Sequence, residues 1–252
     1  MSRNHLPLLL AAVLAGCANS DPAPNDIPPG DDGSAPSGDD AGTPASGDDA
    51  GPSTGDAGTV GPGHDSGGTA TAIPLPFFVS DQFVPTGFMG DSQASMAALT
   101  LAHDATTCKS PRQTGAGGDC FTAKWTPTLA DGGAAWAGVY WQSPANNWGA
   151  KPGKPIAPGA TKVSFYAAGA LGGETIQVSV GGINNGAATA TLPYGDTFSI
   201  KQPAITLTTA WTHYEVPLTG ATYTSVLGGF CWVLSATGSE SVTFYVDDVK
   251  WE

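Results

Sequence analysis

Between residues 135 and 153 the chain reads AWAGVYWQSPANNWGAKPG, which sets three indoles and a phenol beside one glutamine and two asparagines. Such a mixture suits a flat, polyhydroxylated ligand. The C–H face of a pyranose stacks on the electron-rich face of an aromatic ring, and its hydroxyls need amides or carboxylates at the edge. Read as a strand, 135–142 puts Trp136, Gly138 and Tyr140 on one face and Ala137, Val139 and Trp141 on the other, because successive side chains alternate. Val139 marks its own face as interior, so Trp141 is a packing residue, while Trp136 and Tyr140 belong to the opposite face. Gln142 follows, and Asn146, Asn147 and Trp148 fall in the turn SPANNWG. These six, Trp136, Tyr140, Gln142, Asn146, Asn147 and Trp148, are the candidate ligand-binding residues. The competing reading is that each aromatic packs in a core. Trp125, Trp211 and Trp232 stand inside apolar strands and read as core.

A second chemistry lies in the final segment, SVTFYVDDVKWE. Strict alternation places Val242, Phe244, Val246 and Asp248 on one face and Tyr245, Asp247, Val249 and Trp251 on the other. A carboxylate that follows three apolar positions inward needs a compensating partner. Backbone amides, a lysine or a metal ion would serve, and a register that breaks near Asp247 would instead carry both carboxylates to solvent. A hard, oxygen-seeking ion such as Ca2+ would draw on Asp248, Asp247 and Asp81, with Asp91 as a further candidate.

Catalytic constellations are scarcer. From residue 73 on, the sequence has no Gly-x-Ser-x-Gly elbow, His-Glu-x-x-His pair or Cys-x-x-Cys spacing. Glycoside hydrolysis needs two carboxyl groups facing across a bond, and the acidic residues outside the Asp247–Asp248 pair are isolated. His103 and His213 are single histidines. Binding without catalysis is favoured, with a lyase using His213 as a lone base, or a hydrolase, as the alternative.

The elements that must hold these residues are short strands. Aromatic and β-branched runs broken by Gly, Pro and Asn predict strands at 77–83, 96–102, 120–125, 135–142, 161–168, 174–181, 196–200, 205–207, 211–218, 229–235 and 242–250. In TKVSFYAAG, Val163 and Phe165 oppose Ser164 and Tyr166; in ETIQVSVGG, Ile176, Val178 and Val180 oppose Gln177 and Ser179. This is the period of a sheet with one buried face. No window shows a helical period, so the class is all-β, a two-sheet antiparallel sandwich over residues 73–252.

The chain has 252 residues, and the first seventy are of another kind. Arg3, a short apolar run and then Leu14-Ala15-Gly16-Cys17 make residues 1–17 an export signal too short to span a bilayer. Residues 18–72 consist largely of Gly, Ser, Thr, Ala, Pro and Asp, too little apolar surface to order a backbone, so a disordered linker is expected. Ten aspartates with no lysine or arginine sit there, whereas from residue 73 eight basic residues face twelve acidic ones. The net charge of −13 is thus largely the linker's. Some 55 residues of self-repelling coil reach roughly 40 Å. Nucleic acid is not an expected partner, since no basic patch meets phosphates. Cys108 and Cys120 flank eleven polar residues and are expected to form a disulfide in an oxidising compartment; Cys231, among apolar neighbours, reads as packing.

Two resemblances add to this. The residues ending at Cys17 resemble the bacterial lipobox, whose cysteine is lipidated, and Ala18 resembles the sorting position that favours the outer membrane; together they imply an outer-membrane lipoprotein on the cell surface or facing the periplasm. AWTHYEVPLTG followed by VTFYVDDVKWE resembles the last strands of the jelly-roll carbohydrate-binding modules with a galactose-binding-like sandwich. FVPTGFMGD, AGVYWQSPANNWG, KVSFYAAGALGGE and VLGGFCWV are similar to bacterial secreted domains that accompany glycan-processing enzymes. The likeness spans roughly 77–252. It implies a jelly roll with a structural calcium at Asp247 or Asp248 and a site for a polysaccharide or glycan, the membrane being met only through the lipid. A structural or protein-docking envelope module of the same fold is the alternative.

Overall fold

A computed structural model describes residues 71–103, 108–129 and 134–252. Cys17, the linker to residue 70, Asp104 and Asp131 lie outside the described residues.

The chain enters through β1 (Phe77–Phe78), a helical turn α1 (Val79–Gln82), β2 (Val84–Gly90) and the short α2 (Gln93–Ala97). It continues through β3 (Leu99–His103), β4 (Cys120–Trp125), β5 (Ala135–Gln142), β6 (Lys154–Pro155), β7 (Lys162–Gly169) and β8 (Thr175–Gly181). The last strands are β9 (Ser199–Lys201), β10 (Ile205–Thr206), β11 (Thr212–Pro217), β12 (Ser225–Val226), β13 (Gly228–Ala236) and β14 (Val242–Trp251). The first sheet runs β11-β7-β14-β4-β3 with β1 on the end of β14; the second runs β10-β8-β13-β5-β2 with β9 beside β8; β12 and β6 form a separate ribbon. Every pairing of named strands is antiparallel. This is the expected two-sheet sandwich.

The core between the sheets follows the alternation. Ala135, Ala137, Val139 and Trp141 of β5 meet Phe230, Trp232 and Leu234 of β13, Ile176, Val178 and Val180 of β8, and Val163 and Phe165 of β7. Trp141 packs edge-on against Phe121 and Phe230, and Trp232 edge-on against Phe244. Each such ring, fully removed from water, contributes about 1.5–3 kcal/mol. Trp125 and Trp232 lie in this core as expected. Trp211 does not: it is half-buried on the outer side of the first sheet, edge-on to Tyr245, and its Nε1 donates to Pro111 O at 2.9 Å.

Three local expectations are corrected. Residues 77–83 are not one strand, since the backbone turns helically at Val79–Gln82. Within 96–102, residues through Ala97 close α2, capped by Ser92 accepting from Ser95 N at 3.1 Å, before β3 begins. β2 was not expected, because Pro85 and two glycines obscure it; as an edge strand it can carry proline, with its register broken between Pro85 and Gly87.

Candidate functional site

Beyond the inter-sheet core, the second sheet shows another face. Pairing sets Trp136 against Ser235, Gly138 against Val233, and Tyr140 against Cys231; on the other side of β13, Val233 meets Gln177 and Cys231 meets Ser179. Lys201 of β9 lies opposite Ser179. Met89, Tyr140, Ile183, Leu227, Cys231 and Val233 form a second apolar cluster there, with Trp136 and Trp148 packed at its margins. Trp136 and Tyr140 thus share the face opposite Val139 and Trp141, as alternation required.

Polar atoms within this face lack partners. Gln142 is fully buried and its Nε2 has no hydrogen bond; Ser179 is 1% exposed and its Oγ has none; Gln177 donates from Nε2 to Gln202 O at 2.9 Å while its Oε1 has none. An orphaned buried group costs about 1–3 kcal/mol.

The turn after β5 serves a different purpose from the one expected. Asn147, 2% exposed, donates from Nδ2 to Ser143 O and Lys151 O at 3.0 and 2.9 Å, and its Oδ1 accepts from Gly149 N and Lys151 N at 3.2 and 3.1 Å. All its capacity goes into shaping the turn. Asn146 is exposed, holds φ 57°, and gives its backbone N–H to Thr86 Oγ1 at 2.8 Å. Trp148 is half-buried, edge-on to Tyr140 at 5.9 Å. The Tyr140 hydroxyl donates to Gly181 O at 3.2 Å, and burial, with the charge of Asp196 behind it, holds the phenol above its ordinary value.

Asp196, in YGDTF, carried no signal in the sequence but anchors the floor beneath Tyr140. It is 2% exposed; Oδ1 accepts from Leu227 N at 2.7 Å, and Oδ2 from Ile183 N at 2.9 Å and Gly228 N at 3.3 Å. One carboxylate thereby ties the loop after β8 to the join between β12 and β13. Burial pushes its carboxyl up to about 7, against the pull of the three amides.

The acidic end of β14 departs from strict alternation. Pairing with β7 slips between Asp247 and Lys250, and Asp248 takes φ 50°, a bulge in left-handed backbone. Asp248 is consequently not aligned with Phe244 and Val246; Val249 and Trp251, expected on the other face, return to the core instead. The disulfide Cys108–Cys120 forms, with Cα atoms 5.8 Å apart, and the loop it closes lies over both carboxylates. Arg112 grips Asp247 with two donors, Nε at 2.8 Å and Nη2, and Nη2 also reaches Gly118 O at 2.6 Å. Asp248 accepts from Gln113 Nε2 and from the amides of Gly117, at 3.0 Å, and Gly118. A Cβ on Gly118 would stand 2.7 Å from the Phe78 ring, so only glycine lets that amide approach.

This donor set does not fit calcium. Ca2+ needs six to eight oxygen ligands, whereas Asp247 and Asp248 already face a guanidinium and N–H groups. Asp81 is exposed on α1. The group of potential ligands within mutual reach among the described residues is Cys108, Cys120 and Asp247, and both sulfurs are in the disulfide. A chelator is therefore expected to leave the melting temperature unchanged; a fall of several degrees that calcium reverses would overturn this.

No protein-family model matches the chain, and neither does any curated protein. Solved structures of similar fold include the family 30 carbohydrate-binding module of the cellulosomal cellulase Cel9D-Cel44B of Clostridium thermocellum, at 16% identity over 71% of this chain and 97% of that one, TM-score 0.42. A family 11 module from the same organism, in complex with a β-1,3-1,4-mixed-linked tetrasaccharide, aligns at 13% identity over 66% and 86%, TM-score 0.37. A family 61 module in complex with β-1,4-galactotriose aligns at 12% identity over 69% and 91%, TM-score 0.35.

Proposed function

We propose that the sandwich is a noncatalytic glycan-binding module whose ligand face is the outer side of the second sheet. Lipid on Cys17 and the acidic linker would hold it at the outer membrane. The observation that carries the reading is the set of unpartnered polar atoms on Gln142, Gln177 and Ser179 beside half-buried Trp136 and Trp148. Saccharide hydroxyls both donate and accept, so a ligand that stacks on the half-buried indoles and parts the face to reach these buried atoms would satisfy an amide N–H, an amide oxygen and a hydroxyl together. Lys201, opposite Ser179, brings an ammonium to the margin of the same face. The buried carboxylates do not offer a catalytic pair, because Asp247, Asp248 and Asp196 are all committed to protein donors.

The test turns on stability and affinity moving oppositely. Ser179→Ala removes a hydroxyl that has no partner in the ligand-free fold, so its melting temperature should hold or rise. Its binding to any polysaccharide retained by the full chain on a glycan array should fall several-fold, and Trp136→Ala should weaken it at least tenfold. A chain that retains no plant, algal or bacterial glycan, or retains one equally in both variants, would sink the proposal. Membrane-associated protein captured in place of glycan would favour the docking module.

A further inference from the structure

We propose that the outer side of the first sheet carries a second, smaller saccharide pocket, sized for one neutral pyranose unit and walled on one side by the disulfide loop. The inference does not rest on the ligand face described above. The cavity has a volume of 280 Å3 and is lined by Phe78, Gln113, Tyr166, His213, Lys250 and Glu252 among others, just below the roughly 300 Å3 at which pockets for drug-sized ligands begin.

Its lining supplies the two requirements of sugar recognition in a different form. Tyr166, half-buried on β7, stands ring to ring with His213 of β11 at 4.9 Å, and Phe78 of β1 adds a second apolar wall. Next to them Lys250 Nζ lies 3.1 Å from Glu252 Oε2. An ammonium and a carboxylate side by side can read a pair of adjacent hydroxyls, one accepting from the lysine and the other donating to the glutamate. The carboxylate is held in place: Ser164 Oγ donates to Glu252 Oε1 at 2.8 Å, and Lys162 Nζ lies 3.6 Å from the same oxygen. Burial pushes the Glu252 carboxyl up, but Ser164, Lys250 and Lys162 more than offset it, leaving the group below its ordinary value and charged. Among the charged lining groups Asp248 and Glu252 stand against Lys250, an excess of negative charge that selects for a neutral sugar over a uronate.

The fourth wall is Gln113, Thr114 and Gly115, from the loop that Cys108–Cys120 closes. Gln113 is fixed there by its bond to Asp248. Ligand binding in this pocket is therefore tied to the Cys108–Cys120 disulfide.

The experiment is a nuclear magnetic resonance titration of the isotope-labelled full chain with methyl β-D-glucopyranoside and, separately, methyl β-D-galactopyranoside. Shifts should concentrate at Gly115, Tyr166, His213 and Lys250 for at least one of the two. Lys250→Met and Tyr166→Ala should each weaken the effect at least tenfold, and a phosphine reductant should abolish it. Lys250→Met keeps the aliphatic stem, so its fold is secured even where Tyr166→Ala is not. Shifts from neither sugar, shifts confined to β5, β8 and β13, or a signal indifferent to Lys250→Met would overturn the pocket. Loss of the array signal in Trp136→Ala with these shifts unaltered would show the two sites to be independent; an empty array with the shifts present would reject only the first.

Discussion

Replacing Asp196 by alanine is expected to destabilise the domain by about 4 kcal/mol, because it strands three buried backbone N–H groups at about 1–3 kcal/mol each. The donors are those of Ile183, Leu227 and Gly228, so the damage should be greatest where the loop after β8 meets the start of β13. The same residue imposes a pH dependence whose sign follows from its environment. Its folded value, about 7, stands above the ordinary 3.8, so between these values the folded state binds a proton that the unfolded chain has released. Stability from this group is greatest below the unfolded value and declines as pH rises through about 4 to about 7, by up to about 4 kcal/mol in all. Asp196→Asn keeps two of the three acceptor contacts and cannot titrate. The stability of the native chain relative to Asp196→Asn, from urea unfolding at several pH values, should shrink as pH climbs across that window and then level. A difference that does not change with pH would overturn the assignment.

The second large effect is expected at Arg112. Its guanidinium is the described hydrogen-bond partner of Asp247, which is fully buried, and its own value is raised first by that hydrogen bond. Removing one partner of a buried pair leaves an uncompensated charge, at about 3–5 kcal/mol. Arg112→Ala should therefore cost about 3 kcal/mol and loosen the loop from residue 108 to 120. Asp247→Asn introduced on top of it should recover much of the loss, giving a coupling of about 2 kcal/mol in a double-mutant cycle. Costs that simply add would show that the pair does not act as a unit. Replacing Cys108 and Cys120 by serine should cost a similar amount, about 3 kcal/mol for a loop of this length, and act on the same segment.

Much of the fold was legible because most strands bury one face only. In β5, β7 and β8 the alternation assigned the inward residues correctly, Trp141 included, and Trp232 of β13, read as core from its apolar strand, is in the core. It failed where backbone, not side chain, decides. The left-handed residue at Asp248 reverses the parity of Val249 and Trp251, and no period-two count detects a bulge. β2 was hidden by proline and glycine that an edge strand tolerates. Trp211 looked like core because its neighbours are apolar, yet it packs outward under the disulfide loop.

For the candidate site, the face bearing Trp136 and Tyr140 could be read from Val139, but the role of its polar residues could not. Asn147 has the same donors and acceptors whether it meets a sugar or its own turn, and only three-dimensional contacts separate the two. Gln177 and Ser179 look like ordinary outward residues of a half-buried strand, and the unpartnered Gln177 Oε1 and Ser179 Oγ are visible only in the fold. Asp196 is a lone aspartate in a loop; nothing in YGDTF distinguishes it from a solvated one.

The bulge at Asp248 carries a consequence for how this strand tolerates change. A one-residue offset near the end of β14 works as a reading frame: upstream of it even positions point inward, downstream odd ones do. Deleting that residue would restore an unbroken ladder with Val249 and Trp251 still facing inward, but would deprive the disulfide loop of the carboxylate that Gln113, Gly117 and Gly118 hold; inserting a further residue would turn Val249 and Trp251 toward water. A single-residue insertion here is thus more damaging than a substitution, because it exposes two core side chains at once.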